Sequence, residues 1–531
     1  MMPTQIKSAC RLTCLMRLFL PILLLSCLIP AGHVSADEKS STSETTLFSF
    51  DDHSIPWRDN LNLTMVRPEK HAKNPVVPRG DEGACDEWAV QFYGSVLKHD
   101  GKYKAWYIAA DNQSLELIKK GQGFAGLRPA YAESIDGVNW TKPNLGLVEH
   151  NGSKNNNLVK MNPAETAGIH LIVIHEEDEP DPSRQFKMML TVSAFVNKAK
   201  QSSSVTLFSA DGLDWHSPTP LHFEGGYLIE EDLILPTINF EQGGLFKMNG
   251  MYYLPGQMFS PSVRQPDGKA VGRAMVTLRS RDLIHWEECG ALGFIRGTAI
   301  GIEGDVGADE EAHLASSIWN RGNVQLGVYG LWHGAKKPED RGLDLGFMFS
   351  NNGIHFQEPE RDYVFIPIGE TGAWDEGGLL QGQGFENIGE RTFIYYGSWD
   401  LTKPSYPPRG GIGIVSLRRD GFGYLAHHDT EKPARFETTL VKPPSTTSTL
   451  FINVEQLGET GLQVELLDGL NRPIPNYSGE QSAVLSQDGL HEEIIWPATN
   501  SAQIDIKEPY SVRVNFPAKG TARVYAIYVG E

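Results

Sequence analysis

A seven-residue pattern recurs along this chain at nearly constant spacing. Ser134-Ile-Asp-Gly-Val-Asn-Trp140 returns as Ser209-Ala-Asp-Gly-Leu-Asp-Trp215 and again as Ser280-Arg-Asp-Leu-Ile-His-Trp286. Ser350-Asn-Asn-Gly-Ile-His-Phe356 is a weaker copy, and Ser416-Leu-Arg-Arg-Asp420, followed by Gly421 and Phe422, is a remnant. The leading serines stand 75, 71, 70 and 66 residues apart. A period that steady marks a repeat architecture, in which each unit buries its apolar face against its neighbours.

Within each period the same local order is legible. Tyr93 to Tyr107 reads as strand, turn and strand around Asp100-Gly101, and Gly244 to Leu254 does the same around Asn249-Gly250. Asp-Gly and Asn-Gly accept the positive φ of a tight hairpin. Leu171–His175 and Gln185–Leu190 flank the acidic run Glu176 to Asp181, which reads as a solvated turn. Hairpins over 315–333 and 383–399 complete the set. A third strand then enters the Ser-x-Asp-Gly-x-x-Trp turn, and a short fourth follows. Asp can accept backbone amides of that turn, Gly supplies permissive backbone, and Trp can fold onto a neighbouring sheet. The turn resembles the Asp-box of sialidase-type propellers with one residue fewer. Five copies imply an all-β chain with a five-bladed β-propeller over 61–425. Beyond Tyr424 come short alternating strands such as Thr449–Val454, Leu462–Leu466, Tyr510–Val514 and Ala522–Tyr528. These predict a small β-sandwich over 437–531.

The N-terminus reads as a targeting segment. Lys7, Arg11 and Arg17 precede or open an apolar run from Leu18 to Ile29, and Val34-Ser35-Ala36 offers small residues for cleavage. Residues 1–36 are therefore predicted to be a signal peptide, with 37–60 a linker and the mature protein secreted or periplasmic. A lipid anchor at Cys27 is the alternative membrane attachment. Losing the three basic side chains takes the formal net charge from −19 to −22. That charge repels nucleic acid and anionic membranes, and excludes both as general partners. Cys85 and Cys289 are the two cysteines left, either paired after export or two buried thiols.

Several short motifs carry a further resemblance. His71-Ala-Lys-Asn-Pro-Val76 resembles the entry to the first blade of glycosidase families 43 and 32. Phe240-Glu-Gln-Gly-Gly-Leu-Phe-Lys-Met-Asn-Gly-Met-Tyr-Tyr-Leu254 is similar to the family 43 pattern Glu-Gly-Pro-x-x-x-Lys-x-Asn-Gly-x-Tyr-Tyr-Leu. A propeller followed by a sandwich is the family 32 arrangement. The resemblance implies a carbohydrate substrate and gives Glu241 the role of proton donor. The residues support that role separately. Glu241 lies eight residues before the turn at Asn249, where an innermost strand enters the channel. Crowding there raises a carboxyl's pKa toward the range of a general acid.

The first blade should supply the base or nucleophile. Asp86 is the first choice and Glu87 the second, although Asp86 lies 14 residues before Asp100, further than in the families resembled. Their second-blade carboxylate has no counterpart, since His170 occupies that strand entry. Glu311, His313, Asp375 and Gln383 are candidate sugar-hydroxyl ligands, and Trp88, Trp332 and Trp374 candidate platforms for sugar faces. No cofactor is required, and a structural calcium is compatible with the channel carboxylates. The leading reading is a secreted glycoside hydrolase acting on a poly- or oligosaccharide. The alternatives are a non-catalytic carbohydrate-binding propeller and a sialidase-like enzyme.

Overall fold

The computed structural model describes residues 44–236, 239–259, 273–295, 312–333, 342–361, 363–399, 409–443 and 447–530. The predicted signal peptide and its cleavage site lie outside these residues. Among these residues the chain is all-β with one short α-helix, Asn112–Lys119.

Five consecutive antiparallel groups follow the sequence periods. The first is Ala89–His99, Lys102–Ala110, Arg128–Ser134 and Trp140–Thr141. The second runs His170–His175, Phe186–Val196, Ala199–Ser209 and Asp214–His216. The third opens with the broken strand Glu241–Gln242 and Phe246–Met248, then Met251–Phe259, Arg273–Ser280 and Trp286–Phe294. The fourth comprises Ala312–Asn320, Gln325–His333, Gly342–Ser350 and Val364–Ile366. The fifth has Leu379–Ile388, Arg391–Ser398 and Ile412–Arg418, and its outermost strand is Glu69–Lys70 from the start of the chain. Both predicted tight turns have left-handed backbone, with φ of 51° and 71° at Asp100-Gly101 and 52° and 74° at Asn249-Gly250.

The recurring turns explain how the groups fit together. In the first, Asp136 Oδ1 accepts the amides of Val138 and Asn139 at 2.9 and 2.7 Å, and the Trp140 indole donates to the Gly137 carbonyl. Asp211 repeats this with Leu213 and Asp214, and Asp282 with Ile284 and His285. Each turn also docks on the preceding group. Trp106 donates to Gly212 O, Thr206 donates to Leu283 O, and Gly353 packs against Phe246. The first turn docks on the fifth group, where the Tyr395 hydroxyl donates to Gly137 O. The order of contacts is therefore cyclic.

The fourth turn tests what the carboxylate is needed for. There Asn352 Oδ1 accepts the same two amides, at 3.0 and 2.9 Å, without a charge. We expect Asp211→Asn to be nearly neutral and Asp211→Ala to cost about 1–2 kcal/mol, the usual worth of lost turn-capping bonds. Urea unfolding midpoints of the two variants check this; equal losses would show that the charge, which the amide lacks, carries the turn.

Two further sheets bury one shared core of Leu47, Leu425, Phe436, Ile452, Val464, Trp496, Val514 and Ile527, among others. One sheet runs Leu61–Met65, Gly423–His427, Arg523–Gly530, Ser448–Glu455 and Gly489–Glu493. The other runs Trp57–Asp59, Ala434–Glu437, Ser511–Phe516, Leu462–Leu467 and Ala483–Leu485. The segment expected to be a linker differs from that expectation. Thr45–Phe48 pairs with Arg523–Gly530 and Trp57–Asp59 with Ala434–Glu437, because Leu47, Phe48, Phe50 and Ile55 are apolar enough to be buried. The acidic run also departs from a purely solvated turn. Glu176 is 9% exposed and, with Glu179, holds the fully buried Lys187 ammonium at 3.3 and 3.0 Å. Cys85 and Cys289 are not bonded to each other. Burial first, and then the charge of Asp86, pushes the Cys85 thiol up to about 12.

Candidate active site

Each of the five first strands sends one polar side chain to a common cluster: Tyr93, His170, Glu241, His313 and Gln381. The strands approach closely at this point, and glycine makes that feasible. A Cβ on Gly243 would collide with the Ser316 carbonyl, and one on Gly244 with the Ile318 side chain.

His313 is the hub. Its Nε2 lies 3.0 Å from Glu241 Oε1, the Gln381 amide donates to Nδ1 at 3.1 Å, and the Tyr93 hydroxyl is 2.9 and 3.0 Å from Nδ1 and Nε2. Gln257 donates to the second Glu241 oxygen at 2.9 Å. Tyr93 and His170 stack with ring centroids 4.5 Å apart. Burial drives these groups toward their neutral forms. It pushes Glu241 up to about 7, against an opposing pull from the Arg273 charge. It lowers His170 to about 3 and His313 to about 4. Glu241 still keeps 33% of its side chain open, so it is crowded by protein yet reached by water. A carboxyl that stays protonated near neutrality and is reachable can donate a proton. Among the described residues it is the one carboxyl in the cluster.

Asp86 and Glu87 do not join it. Asp86 is 1% exposed, and its Oδ2 accepts from the Tyr107 hydroxyl at 2.7 Å and from Lys142 at 2.5 Å. Glu87 closes its own loop, accepting from the Gly83 amide at 2.6 Å and from Asn112. The same construction occurs a second time. Gly80-Asp-Glu-Gly-Ala-Cys-Asp-Glu87 matches Gly369-Glu-Thr-Gly-Ala-Trp-Asp-Glu376. Asp375, 2% exposed, accepts from Tyr396 at 2.8 Å and from Lys70 at 2.7 Å. Glu376 accepts the Gly372 amide. Lys70 lies on the outermost strand of its group, and Lys142 directly follows the outermost strand of its own. Each aspartate thus ties the loop that launches an inner strand to the far edge of the sheet. A Cβ on Gly80 or Gly369 would collide with that carboxylate, which is why both loops begin with glycine.

Asp86→Ala should therefore act on stability. It strands the Lys142 ammonium and the Tyr107 hydroxyl, at a cost of about 3 kcal/mol. Asp375→Ala should cost a similar amount. Denaturant midpoints measure both, and turnover per folded molecule should be unchanged. A specific loss of turnover in Asp86→Ala with an unchanged midpoint would return Asp86 to the chemistry.

The remaining candidates divide. His170 and His313 are in the cluster. Trp332, half-buried, lies beside it, with the Arg273 guanidinium 5.7 Å from its ring. Gln383 is not a free ligand, because its amide accepts from and donates to the Leu245 backbone at 2.9 Å each way. Trp88 is buried in the core between the first two groups, and Trp374 packs on Tyr396 with centroids 5.5 Å apart. The Trp88 indole is thereby shut from solvent, at 3% exposure, while Trp374 is only partly buried. Glu311 lies outside the described residues. Tyr93, Gln257 and Arg273 were not anticipated. Tyr93 reads from sequence only as a strand aromatic, and the other two enter from second and third strands. Among the described residues no group of three or more His, Cys, Asp or Glu is placed to hold a metal ion.

No protein-family model matches this chain, and no curated protein matches it. Solved structures do. One is a structure from the GH130 family of mannoside phosphorylases, described as containing glycoside hydrolases that target β-1,2 mannosidic linkages in Candida mannan. It is 12% identical, with 67% of this chain and 94% of that chain covered and a TM-score of 0.42. A glycosyl hydrolase from Bacteroides ovatus is 13% identical over 67% of this chain and 94% of its own, at a TM-score of 0.40. A thermostable family-43 glycoside hydrolase is 14% identical over 63% and 89%, at 0.35.

Proposed function

We propose that the five cyclically docked groups are the blades of a five-bladed propeller over 61–425. The two remaining sheets would form a sandwich built from 437–531 together with the strands at 45–65. In this reading the polar cluster lies on the propeller axis and cleaves glycosidic bonds, with Glu241 protonating the leaving oxygen. The single observation that carries it is Glu241 itself, a water-reached carboxyl pushed up to about 7 by burial beside His313 and Gln257, against the pull of the Arg273 charge. Amides, imidazoles and a phenol around it suit sugar hydroxyls. Export after cleavage at Ala36 would place the site before extracellular or periplasmic glycans.

The test is a panel of oligosaccharides and aryl glycosides offered to wild type and Glu241→Gln. Cleavage by wild type and its loss in the variant support the reading. A second reading, a carbohydrate-binding module without turnover, is favoured by the lack of a second carboxyl in the cluster among the described residues. Glycan binding with no cleavage by wild type would select it.

A further inference from the structure

Resting on the glycoside-cleaving reading of this cluster, we propose that Gln381 is a positioning residue: it fixes the tautomer of His313, and His313 in turn keeps the Glu241 proton turned toward the open side of the site. The warrant is a chain of hydrogen bonds in which each donor is decided by the one before it. Gln381 Nε2 lies 3.3 Å from the His313 backbone oxygen and 3.1 Å from His313 Nδ1. A carbonyl oxygen only accepts, so the amide must present its NH2 there. Turned over, it would set its own oxygen against that carbonyl and move its NH2 to where Oε1 has no hydrogen-bond partner among the described residues. Nδ1 therefore accepts. Burial lowers His313 to about 4 and keeps the ring neutral, so its single hydrogen sits on Nε2. The Tyr93 hydroxyl, at 2.9 and 3.0 Å, is nearly equidistant from the two nitrogens and does not choose between them.

The Nε2 hydrogen is then directed at Glu241 Oε1, 3.0 Å away. The second oxygen is governed in the same way. Gln257 Oε1 accepts the Leu314 backbone amide at 2.8 Å, which leaves its Nε2 to donate to Glu241 Oε2 at 2.9 Å. Each Glu241 oxygen so meets an N–H on its protein side. A proton on the carboxyl cannot occupy a direction already filled by a donated hydrogen. It takes a lone pair that the cluster leaves uncovered, on the part of the side chain that water reaches. A leaving oxygen approaching from there meets the proton. The other tautomer would reverse this. With the hydrogen on Nδ1, the Nε2 lone pair would face Oε1 and accept the Glu241 proton, turning it into the cluster.

The same two N–H groups serve the next moment of the reaction. Once the proton has passed to the leaving oxygen, Glu241 carries a charge, and both donors are already in place to stabilise it. Gln381 acts on the acid only through His313. Its loss should therefore leave the carboxyl present but misdirect its proton. Unactivated glycosides, whose leaving oxygen needs that proton, should be slowed, and aryl glycosides with good leaving groups much less. A residue that merely filled space would slow both alike.

The test pairs NMR of nitrogen-15-labelled histidine with turnover, in wild type, Q381L and Q381M. Two-bond proton–nitrogen correlations show which ring nitrogen holds the hydrogen, and the His313 signals are those missing in H313N or H313Q. Wild type should show the hydrogen on Nε2. In Q381L and Q381M the Nδ1–H form should appear. Turnover of the oligosaccharides that wild type cleaves should then fall at least about tenfold, and that of 2,4-dinitrophenyl glycosides less than about threefold. A hydrogen on Nδ1 in wild type, or Q381L and Q381M that keep it on Nε2, overturns the assignment. So does an equal loss on both substrate types, and each of these results leaves Glu241's role standing. No cleavage of any glycoside by wild type overturns the glycoside-cleaving reading and the role of Gln381 with it. The tautomer, read without substrate, tells that failure from a failure of the hydrogen-bond chain.

Discussion

Glu241→Gln is expected to lower turnover of unactivated glycosides by about 10²–10⁴-fold, the usual worth of a positioned proton donor. The amide keeps the shape that meets His313 and Gln257, so binding should survive. Aryl glycosides with good leaving groups should lose far less, because their oxygen departs without a proton. The pH dependence follows from the same carboxyl. It must be protonated to act, and burial holds it up to about 7. Activity on unactivated substrates should therefore fall as pH rises through about 7, and that limb should weaken on aryl glycosides. Stability carries the opposite signature. The folded state holds this proton to higher pH than the unfolded chain does, so wild type loses stability as pH rises between about 4.3 and 7. The amide of the variant cannot ionise. Glu241→Gln should thus be less active than wild type yet at least as stable at pH 8, where thermal melts can compare them. A variant that is both inactive and markedly less stable would mean that Glu241 holds the cluster together rather than working in it.

Much of this architecture is written in the chain at short range. The Ser-x-Asp-Gly-x-x-Trp turns are self-contained, since Asp136, Asp211 and Asp282 bond amides two and three residues away. Hairpins closed by Asp100-Gly101 and Asn249-Gly250 are equally local. Glu241 was found because it stands just before such a hairpin. Non-local partners were harder. Asp86 looks catalytic when read alone, because nothing nearby says that Tyr107 and Lys142 will take its oxygens. The signal that separates the readings was present: the octapeptide containing Asp86 occurs again around Asp375, and a unique catalytic base has no reason to be duplicated with the same partners. Thr45–Phe48 and Trp57–Asp59 were missed because each is a short strand whose partners lie near the other end of the chain. Tyr93 was invisible as a site residue for a similar reason. Its place in the cluster depends on His313, 220 residues later.

The largest effect on stability is expected at the remnant of the repeat, where Asp420 has exchanged the turn-closing role for a long-range one. Both of its oxygens accept from the largely buried Arg321 guanidinium, which belongs to the hairpin of the fourth group. Asn387, in the hairpin of the fifth group, adds a bond at 3.2 Å, and Tyr528, on a strand of the C-terminal sheets, one at 2.9 Å. Arg321 also lies over Trp319, 4.6 Å from its ring centre. One carboxylate therefore joins two of the repeated groups to the terminal sheets. Burial alone would raise its pKa, but the Arg321 charge and these hydrogen bonds outweigh that and hold it below the usual range. Asp420→Ala would leave a buried cation without its partner, a loss of about 3–5 kcal/mol. Against a typical total of roughly 5–15 kcal/mol, that is a large share. Replacing both partners, in Asp420→Ala with Arg321→Ala, should cost less than the two single losses added together, because no charge is then stranded. The contribution of a carboxyl with a depressed pKa is complete above its unfolded value of about 3.9 and is lost as pH falls through the lower folded value. Wild type should accordingly keep this stabilisation down to about pH 4, and the gap between wild type and Asp420→Asn should close only in stronger acid. Urea midpoints followed from about pH 7 down to about pH 2.5 measure it, starting well above the unfolded value. Strictly additive single and double losses, or a gap independent of pH, would mean that Asp420 contributes shape and not charge.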